Sequence, residues 1–320
     1  MSDDRITPAT MRAVTLPRFG GPEVLEITER PWPQPVDDEV LVRVHAASVN
    51  PVDYKIRRGG YPRVGEDMLP IVMGRDLAGT IETCGTRAHN MLRHGDRVFA
   101  FLAFDRGAQA EYVVVKAVEL VAMPATLDFA QAAAVPLAAM TAWQGLFDHG
   151  RLQPGQTALI QGGAGGVGHL AVQFANAKGA RVITAVRGAD VEFARGLGAD
   201  LVIDRERDRF EDAGEVDLVL DLAGGEVQTR SVAVIRPGGA LVSAIAISDE
   251  AQAAARERGV RVPDRWMATP NAEQLGEIAD LIDAGKVAPT VARTFPLAEA
   301  SAAHAALEAG GVRGKIVLTV

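Results

Sequence analysis

Gly163, Gly165 and Gly168 fall on the spacing G-x-G-x-x-G within the run 162–168, Gly-Gly-Ala-Gly-Gly-Val-Gly. Such spacing does chemistry only between a strand and a helix. There the first glycine makes the tight turn, the second lets backbone approach a pyrophosphate, and the third lets the helix pack against the strand. The amides at the helix N-terminus, aided by the helix dipole, then face the phosphates. Both neighbours are present. Residues 157–160 read as a short buried strand and 169–178 as a helix closed by Gly179. A second strand follows at 181–186. The loop 163–168, including Ala164, Gly166 and Val167, is thus a dinucleotide site. The competing reading is a glycine-rich loop needed only for packing.

The end of the second strand speaks to which dinucleotide. NAD enzymes usually place an acid there to bond the ribose 2′-hydroxyl. Here the strand ends Ala185-Val186-Arg187-Gly188. A guanidinium suits a 2′-phosphate, through charge-assisted and often bidentate bonds. Arg187 is therefore expected to select NADPH, with Arg205 after the third strand as a second cation. Asp190 and Glu192 are the alternative acids if the strand ends later.

Other chemistries find less support. The histidines His45, His89, His94, His149, His169 and His304 do not pair at metal-ligand spacing, and His169 reads as helix filler. Cys84 is the single cysteine, which rules out an intrachain disulfide and a cysteine metal cage and points to a reducing compartment. There is no G-x-S-x-G elbow, and the glycine loop lacks the Lys-Ser/Thr ending of a P-loop.

The elements around the loop divide the chain. Residues 11–120 read as strands and turns, for example 39–45, 97–102 and 111–115. From about 130 strands alternate with helices: strands at 157–160, 181–186, 200–203, 216–221 and 240–246, helices at 166–178, 190–196 and 226–235. Serial right-handed βαβ units give a parallel sheet covered on both faces. A helix 271–284, a strand near 290–294, a helix 297–309 and a last strand 315–320 follow. That last strand is expected to return to the β-rich first region. The apolar run 130–146 contains Gln131, Pro136, Thr141 and Gln144 and reads as buried helix, not a membrane span.

A formal charge of −8 disfavours nucleic acid and anionic membranes as partners. The acidic N-terminus, with no apolar run, does not read as a signal peptide, so a cytoplasmic location is expected. Apolar residues 241–247, followed by 259–262, suggest strands near a sheet edge, a pairing hazard unless covered.

From about Met11 to Val320 the chain resembles the zinc-independent quinone oxidoreductases (zeta-crystallin-like) of the medium-chain dehydrogenase/reductase superfamily. The landmarks are Ala47-Ser-Val-Asn-Pro-Val-Asp53, Gly74-Arg-Asp-Leu-Ala-Gly79, Gly95-Asp-Arg-Val98 and Ala134-Val-Pro136. Thr141-Ala-Trp143, the glycine loop, Asp221-Leu-Ala-Gly-Gly225 and Arg313-Gly-Lys-Ile-Val317 complete them. The resemblance implies an α/β protein. A doubly wound Rossmann sheet accompanies a discontinuous GroES-like β-rich catalytic domain, with the nicotinamide in the cleft between. The boundaries expected are 1–131 and 269–320 for the catalytic domain and 132–268 for the dinucleotide domain. Thr141 and Lys315 join the cofactor-binding set, and a homodimer is implied.

Zinc-dependent relatives carry a cysteine where Asn50 stands and a histidine where Arg75 stands. Neither Asn50 nor Arg75 is a normal zinc ligand. Without a Lewis acid to polarise an alcohol, the expected substrate is already electrophilic: a quinone or an α,β-unsaturated carbonyl, reduced by hydride from NADPH. An enoyl-thioester double-bond reductase is a second reading. A nucleotide-binding protein with a regulatory role and incidental turnover is a third. Hydride addition leaves negative charge on the substrate oxygen. Asn50 can offer a neutral hydrogen bond, Lys55 a full positive charge and Tyr54 a proton or hydrogen bond. The plain alternative makes Lys55, Tyr54 and Tyr61 rim residues of an amphipathic turn. Asp53 and Asp76 read as loop braces, since buried carboxylates usually persist only when paired, with general bases as the alternative.

Overall fold

The computed structural model describes residues 9–90 and 92–320. The N-terminal segment read against a signal peptide lies outside them. Among the described residues, three sheets organise the chain. Five parallel strands stand in the order Leu201–Asp204, Arg181–Val186, Thr157–Gln161, Val216–Asp221, Ile235–Ser243. The first strand in sequence, Thr157–Gln161, lies in the middle, and the chain winds outward from it in both directions. That central position is the switch point at which open α/β sheets bind ligands. The glycine loop leaves directly from its end.

Helix Gly168–Ala177 follows the loop and buries every residue from Gly168 to Ala175. A surface helix would be amphipathic. This one is enclosed on both sides: Gln173 exchanges two hydrogen bonds with the backbone of Ala288, 2.8 and 3.0 Å, from the C-terminal stretch.

The second sheet is mostly antiparallel. Its order is Val291–Pro296, Lys315–Thr319, Glu39–Val49, Asp76–Cys84, Arg97–Phe101, Val121–Ala122, with Tyr112–Lys116 also paired to Glu39–Val49. The expected return is there. Lys315–Thr319 runs antiparallel to Glu39–Val49, with Ile316 opposite Val49. A small sheet, Glu26–Pro31, Thr10–Leu16 and Ile71–Val72, completes this lobe.

Several boundaries move for local reasons. The strand expected at 240–246 is Ile235–Ser243, so the helix before it is only Glu226–Val232. Arg236-Pro-Gly-Gly239 lies within the strand, across a register shift against Val216–Asp221. The buried helical run 130–146 is broken. Phe129–Ala133 ends, and Pro136, which cannot donate within a helix but suits its first turn, restarts it as Pro136–Trp143. The expected helix 297–309 begins as a 3₁₀ turn and becomes regular at Ala300–Glu308. The edge at Ile235–Ser243 is paired within the chain: Leu241 donates to Arg261 O, and Arg261 to Gly239 O.

Candidate active site

Steric space accounts for two glycines of the loop 162–168 and sets a third apart. A Cβ on Gly163 would stand 2.1 Å from Thr184 Oγ1, and one on Gly168 would stand 2.1 Å from Gly162 O. The first fits the loop against the neighbouring strand and the second packs the helix onto it. A Cβ on Gly165 would meet nothing closer than 3.5 Å. There the backbone is left bare towards open space, which is what a pyrophosphate requires. Ala164 is buried and accepts from Gly314 N–H at 3.0 Å, tying the loop to the returning segment. Gly166 and Val167 are partly exposed.

His169 locks the loop from behind. Its Nε2 accepts the Thr290 amide at 3.1 Å, so its Nδ1 carries the proton and donates to Gly165 O at 3.0 Å. Burial pushes its pKa down to about 4. The residue read as helix filler is a neutral brace with a fixed tautomer.

At the far end of Arg181–Val186, Arg187 and the acid Asp190 are in contact. Asp190 is 3% exposed. Its Oδ2 accepts Arg187 Nε and Nη2 at 3.0 and 2.8 Å, and its Oδ1 accepts Arg313 Nε at 2.7 Å. Its carboxylate is thus occupied by two guanidiniums, while Glu192 pairs with Arg195. Arg205 is exposed and lines an open pocket of 250 Å³ with Gln161, Gly162, Ala185 and Phe210.

The other lobe supplies a buried polar network. Asn50, 1% exposed, donates from Nδ2 to Asp76 Oδ2 at 2.8 Å and to Ser48 Oγ at 3.2 Å. Its Oδ1 accepts from the Lys315 ammonium, which also donates to Val49 O at 3.3 Å and lies 3.9 Å from Asp76. Asp76 further accepts from Ser48 Oγ and, at 2.7 Å, from the Leu137 amide in the first turn of Pro136–Trp143. That helix carries Thr141, whose hydroxyl donates back to Leu137 O at 2.8 Å. Burial lowers the Lys315 pKa, opposed by Asp76 and Asp53. The Lys315 side chain also packs where a Cβ on Gly166 would come within 3.1 Å of it. One lysine therefore touches both the dinucleotide loop and Asn50.

Asp53 accepts the Asn50 amide at 2.7 Å, closing the first turn of helix Pro51–Arg57. It is wholly buried, and desolvation raises its pKa to about 7. Arg75 is buried, donates to Leu102 O, and lies 3.7 Å over the Phe104 ring. Phe104 stacks on Tyr61 with centroids 5.0 Å apart, and the Tyr61 hydroxyl donates to Met267 Sδ at 3.1 Å.

Asn50 and Lys315 thus meet, though Lys315 directs its ammonium to Asn50, and both Asn50 amide hydrogens are engaged within the protein. Lys55 is exposed in the last turn of Pro51–Arg57 and makes no ion pair among the described residues. Tyr54 is half-buried, with the Arg58 guanidinium 5.8 Å from its ring. Neither joins the network. The roles of Ser48 and Arg313 and the Tyr61–Phe104–Met267 contact escape the sequence reading. The landmarks 47–53, 74–79 and 313–317 contain the network's residues without saying which of them touch.

The two positions that hold zinc ligands in metal-dependent relatives do not fit that ion here. One carries an amide already bonded to an ammonium and a carboxylate, the other a cation.

A parallel dinucleotide sheet, a β-rich lobe closed by a returning strand and a glycine cradle between them define a two-lobed nucleotide-dependent dehydrogenase. The chain belongs to the medium-chain dehydrogenase/reductase superfamily, in its zinc-independent quinone oxidoreductase branch. Residues 36–125 match the alcohol dehydrogenase GroES-like domain and residues 197–318 the zinc-binding dehydrogenase family. The chain is 34% identical to the chloroplastic NADPH-dependent alkenal/one oxidoreductase of Arabidopsis thaliana, over 98% of this chain and 81% of that protein. It is 31% identical to the Mus musculus quinone oxidoreductase, over 96% and 97% of the two chains. Among solved structures, the quinone oxidoreductase of Coxiella burnetii superposes with a TM-score of 0.89 at 35% identity, covering 97% of this chain and 99% of that one. A mycobacterial protein complexed with NADPH gives 0.85 at 30%, covering 97% and 100%.

Proposed function

We propose that this protein is an NADPH-dependent, metal-independent oxidoreductase that transfers a hydride to a quinone or an α,β-unsaturated carbonyl. The observation that carries the reading is the loop 162–168. Two of its glycines are forced by packing, and the third is left bare beside them. NADPH, when bound, supplies the hydride. The protein's part is to hold it and to receive the charge that develops on the substrate. The bare backbone at Gly165 takes the pyrophosphate, and Arg187 takes the 2′-phosphate. Thr141, on the helix that also anchors Asp76, and Arg205, in the 250 Å³ pocket, flank the same cofactor. Lys315 reaches between the loop and Asn50 and keeps the two in register.

Reduction of an enone leaves an enolate and reduction of a quinone a phenolate. Lys55, one turn beyond Asn50 with its ammonium unpaired among the described residues, is the cation offered to that oxygen, and Tyr54 beside it the hydroxyl donor. Asn50 orients this turn, since its amide is tied to Asp53 and its side chain to Lys315.

No helix of the described residues is long and apolar enough to cross a membrane. A cytoplasmic homodimer without nucleic-acid partners belongs to this reading, joined through the dinucleotide domain at the segments 241–247 and 259–262. A mass near one chain in light scattering at micromolar concentration overturns the dimer.

The test of the activity is NADPH oxidation, followed by absorbance, with a quinone, an enone and an enoyl thioester. Turnover on quinone or enone is expected. NADPH binding without turnover on the whole panel overturns the enzyme reading.

A further inference from the structure

We infer that Arg313, from the returning C-terminal segment, is a second guanidinium of the 2′-phosphate site, and that the Asp190 carboxylate is the organiser holding it beside Arg187. This rests on the NADPH reading above and adds residues to it.

The geometry is specific. Asp190 divides its oxygens, Oδ2 to Arg187 and Oδ1 to Arg313. Arg313 is fixed a second time by donation from Nη2 to Ala189 O. Each guanidinium uses Nε and Nη2 on these partners, so each Nη1 is without a hydrogen-bond partner among the described residues. The carboxylate is 5% exposed, while Arg187 and Arg313 are 37% and 47% exposed. The anchor is buried and both cations reach solvent. One negative charge against two positive ones leaves the cluster cationic, and two forks side by side suit a tetrahedral dianion.

The approach of Arg313 is built into the backbone. Gly310 and Gly311 both have left-handed φ, 74° and 76°. They turn the chain after helix Ala300–Glu308, and a Cβ on Gly311 would lie 3.5 Å from Arg187 Nη1. The turn thus lays the returning segment against Arg187. Two residues after Arg313, Lys315 holds Asn50. A phosphate held here therefore fixes the segment that supports the reacting lobe, so a chemically inert group contributes to positioning at the reacting carbon.

The competing groups are also local. Glu206 accepts the Gly188 amide at 3.2 Å, and a Cβ on Gly188 would stand 2.8 Å from Asp204 Oδ2. These acids would suit a 2′-hydroxyl and repel a phosphate.

The experiment measures the Kd of NADPH, NADH and 2′,5′-ADP by calorimetry for the wild type, Arg313→Ala, Arg313→Lys, Arg187→Ala and Asp190→Ala. Arg313→Ala should weaken NADPH and 2′,5′-ADP about ten- to hundredfold while NADH changes less than about twofold. Arg313→Lys should recover part of the loss. Asp190→Ala separates an organiser from a mere charge. Removing a negative charge alone tightens phosphate binding, whereas losing the organiser weakens it, and weakening is expected. If Arg187→Ala weakens NADPH but Arg313→Ala does not, Arg313 is no part of the site and the NADPH reading stands. If neither matters, or the wild type prefers NADH, the 2′-phosphate site itself is wrong. Equal loss of NADPH and NADH in Arg313→Ala makes the residue a structural one and overturns the inference.

Discussion

The dinucleotide loop and the Asn50 pocket lie against each other, joined by one lysine, yet they are built on opposite plans. The loop is made of backbone. Its function depends on side chains being absent, and the close approaches at Gly163 and Gly168 fix its shape. The pocket is made of side chains. Ser48, Asn50, Asp53, Asp76 and Lys315 come from three separate stretches of sequence, and all their polar groups except one oxygen of Asp53 find partners in a space without water-facing surface. A backbone site should tolerate anything except a new atom. A side-chain network should tolerate new atoms better than a lost charge, because removing one partner leaves the other buried and unpaired.

The largest effect should follow from breaking that network. Lys315→Met deletes the ammonium near Asp76 and is expected to cost about 3–5 kcal/mol of stability and about a hundredfold in kcat. Urea denaturation and steady-state kinetics measure both, and an unchanged urea midpoint would erase the contrast between the two regions.

The loop can be tested by a pair of alanines. Gly163→Ala must displace Thr184 and should cost about 1–3 kcal/mol by overpacking. Gly165→Ala has room, so its melting temperature should stay within a degree or so while NADPH affinity falls about tenfold. If both alter stability equally, packing and not ligand approach explains the spacing.

Titration distinguishes the regions by sign. The unfolded chain releases the Asp53 proton near the ordinary carboxylate value, whereas the folded chain keeps it to about 7. The native state binds more protons between, so Asp53 lowers stability as pH rises through that window. His169 does the reverse. It is held neutral down to about 4, so the unfolded chain binds the extra proton and stability falls as pH drops below about 6.5. Both windows lie between about pH 4 and 7, so the two variants differ in sign: Asp53→Asn should remove a loss of stability with rising pH there, and His169→Gln a loss with falling pH. A slope change of the wrong sign in unfolding free energy against pH refutes the corresponding assignment.

The smallest effect is expected at Lys55. Lys55→Met should lower kcat about tenfold on an enone and less on a quinone, which accepts hydride more readily. NADPH affinity should be unchanged. Equal turnover on both substrates would leave Lys55 an ordinary surface lysine.

This contrast also explains what could be read in advance. Glycine spacing and strand alternation are local patterns, so the doubly wound sheet and its loop were legible, and the last strand stood out as lying beyond the parallel series. The landmark residues Asn50 and Lys315 were singled out for separate roles, but their contact was not. It depends on a strand pairing that joins residues some 265 positions apart. Arg313 was hidden for the same reason, since its partner Asp190 lies across the molecule in sequence. Asp190 itself read as a rival to Arg187 because charge type alone does not say which groups touch. Lys55 attracted notice by its nearness to Asn50 in the chain, while one helical turn leads its side chain to solvent.

The strand Lys315–Thr319 lies between Val291–Pro296 and Glu39–Val49 and is an interior member of its sheet. The order of synthesis follows from that. Residues 157–243, with all five parallel strands, are complete while this strand has yet to be made. The β-rich lobe, whose first strands leave the ribosome earliest, must wait for residues 291–319 before its sheet can close. At translation speeds of about 5–20 residues per second, Glu39–Val49 spends many seconds with one edge open. The nascent chain is therefore most exposed to mispairing in the lobe that was started first, and the dinucleotide lobe can be folded before its neighbour is finished.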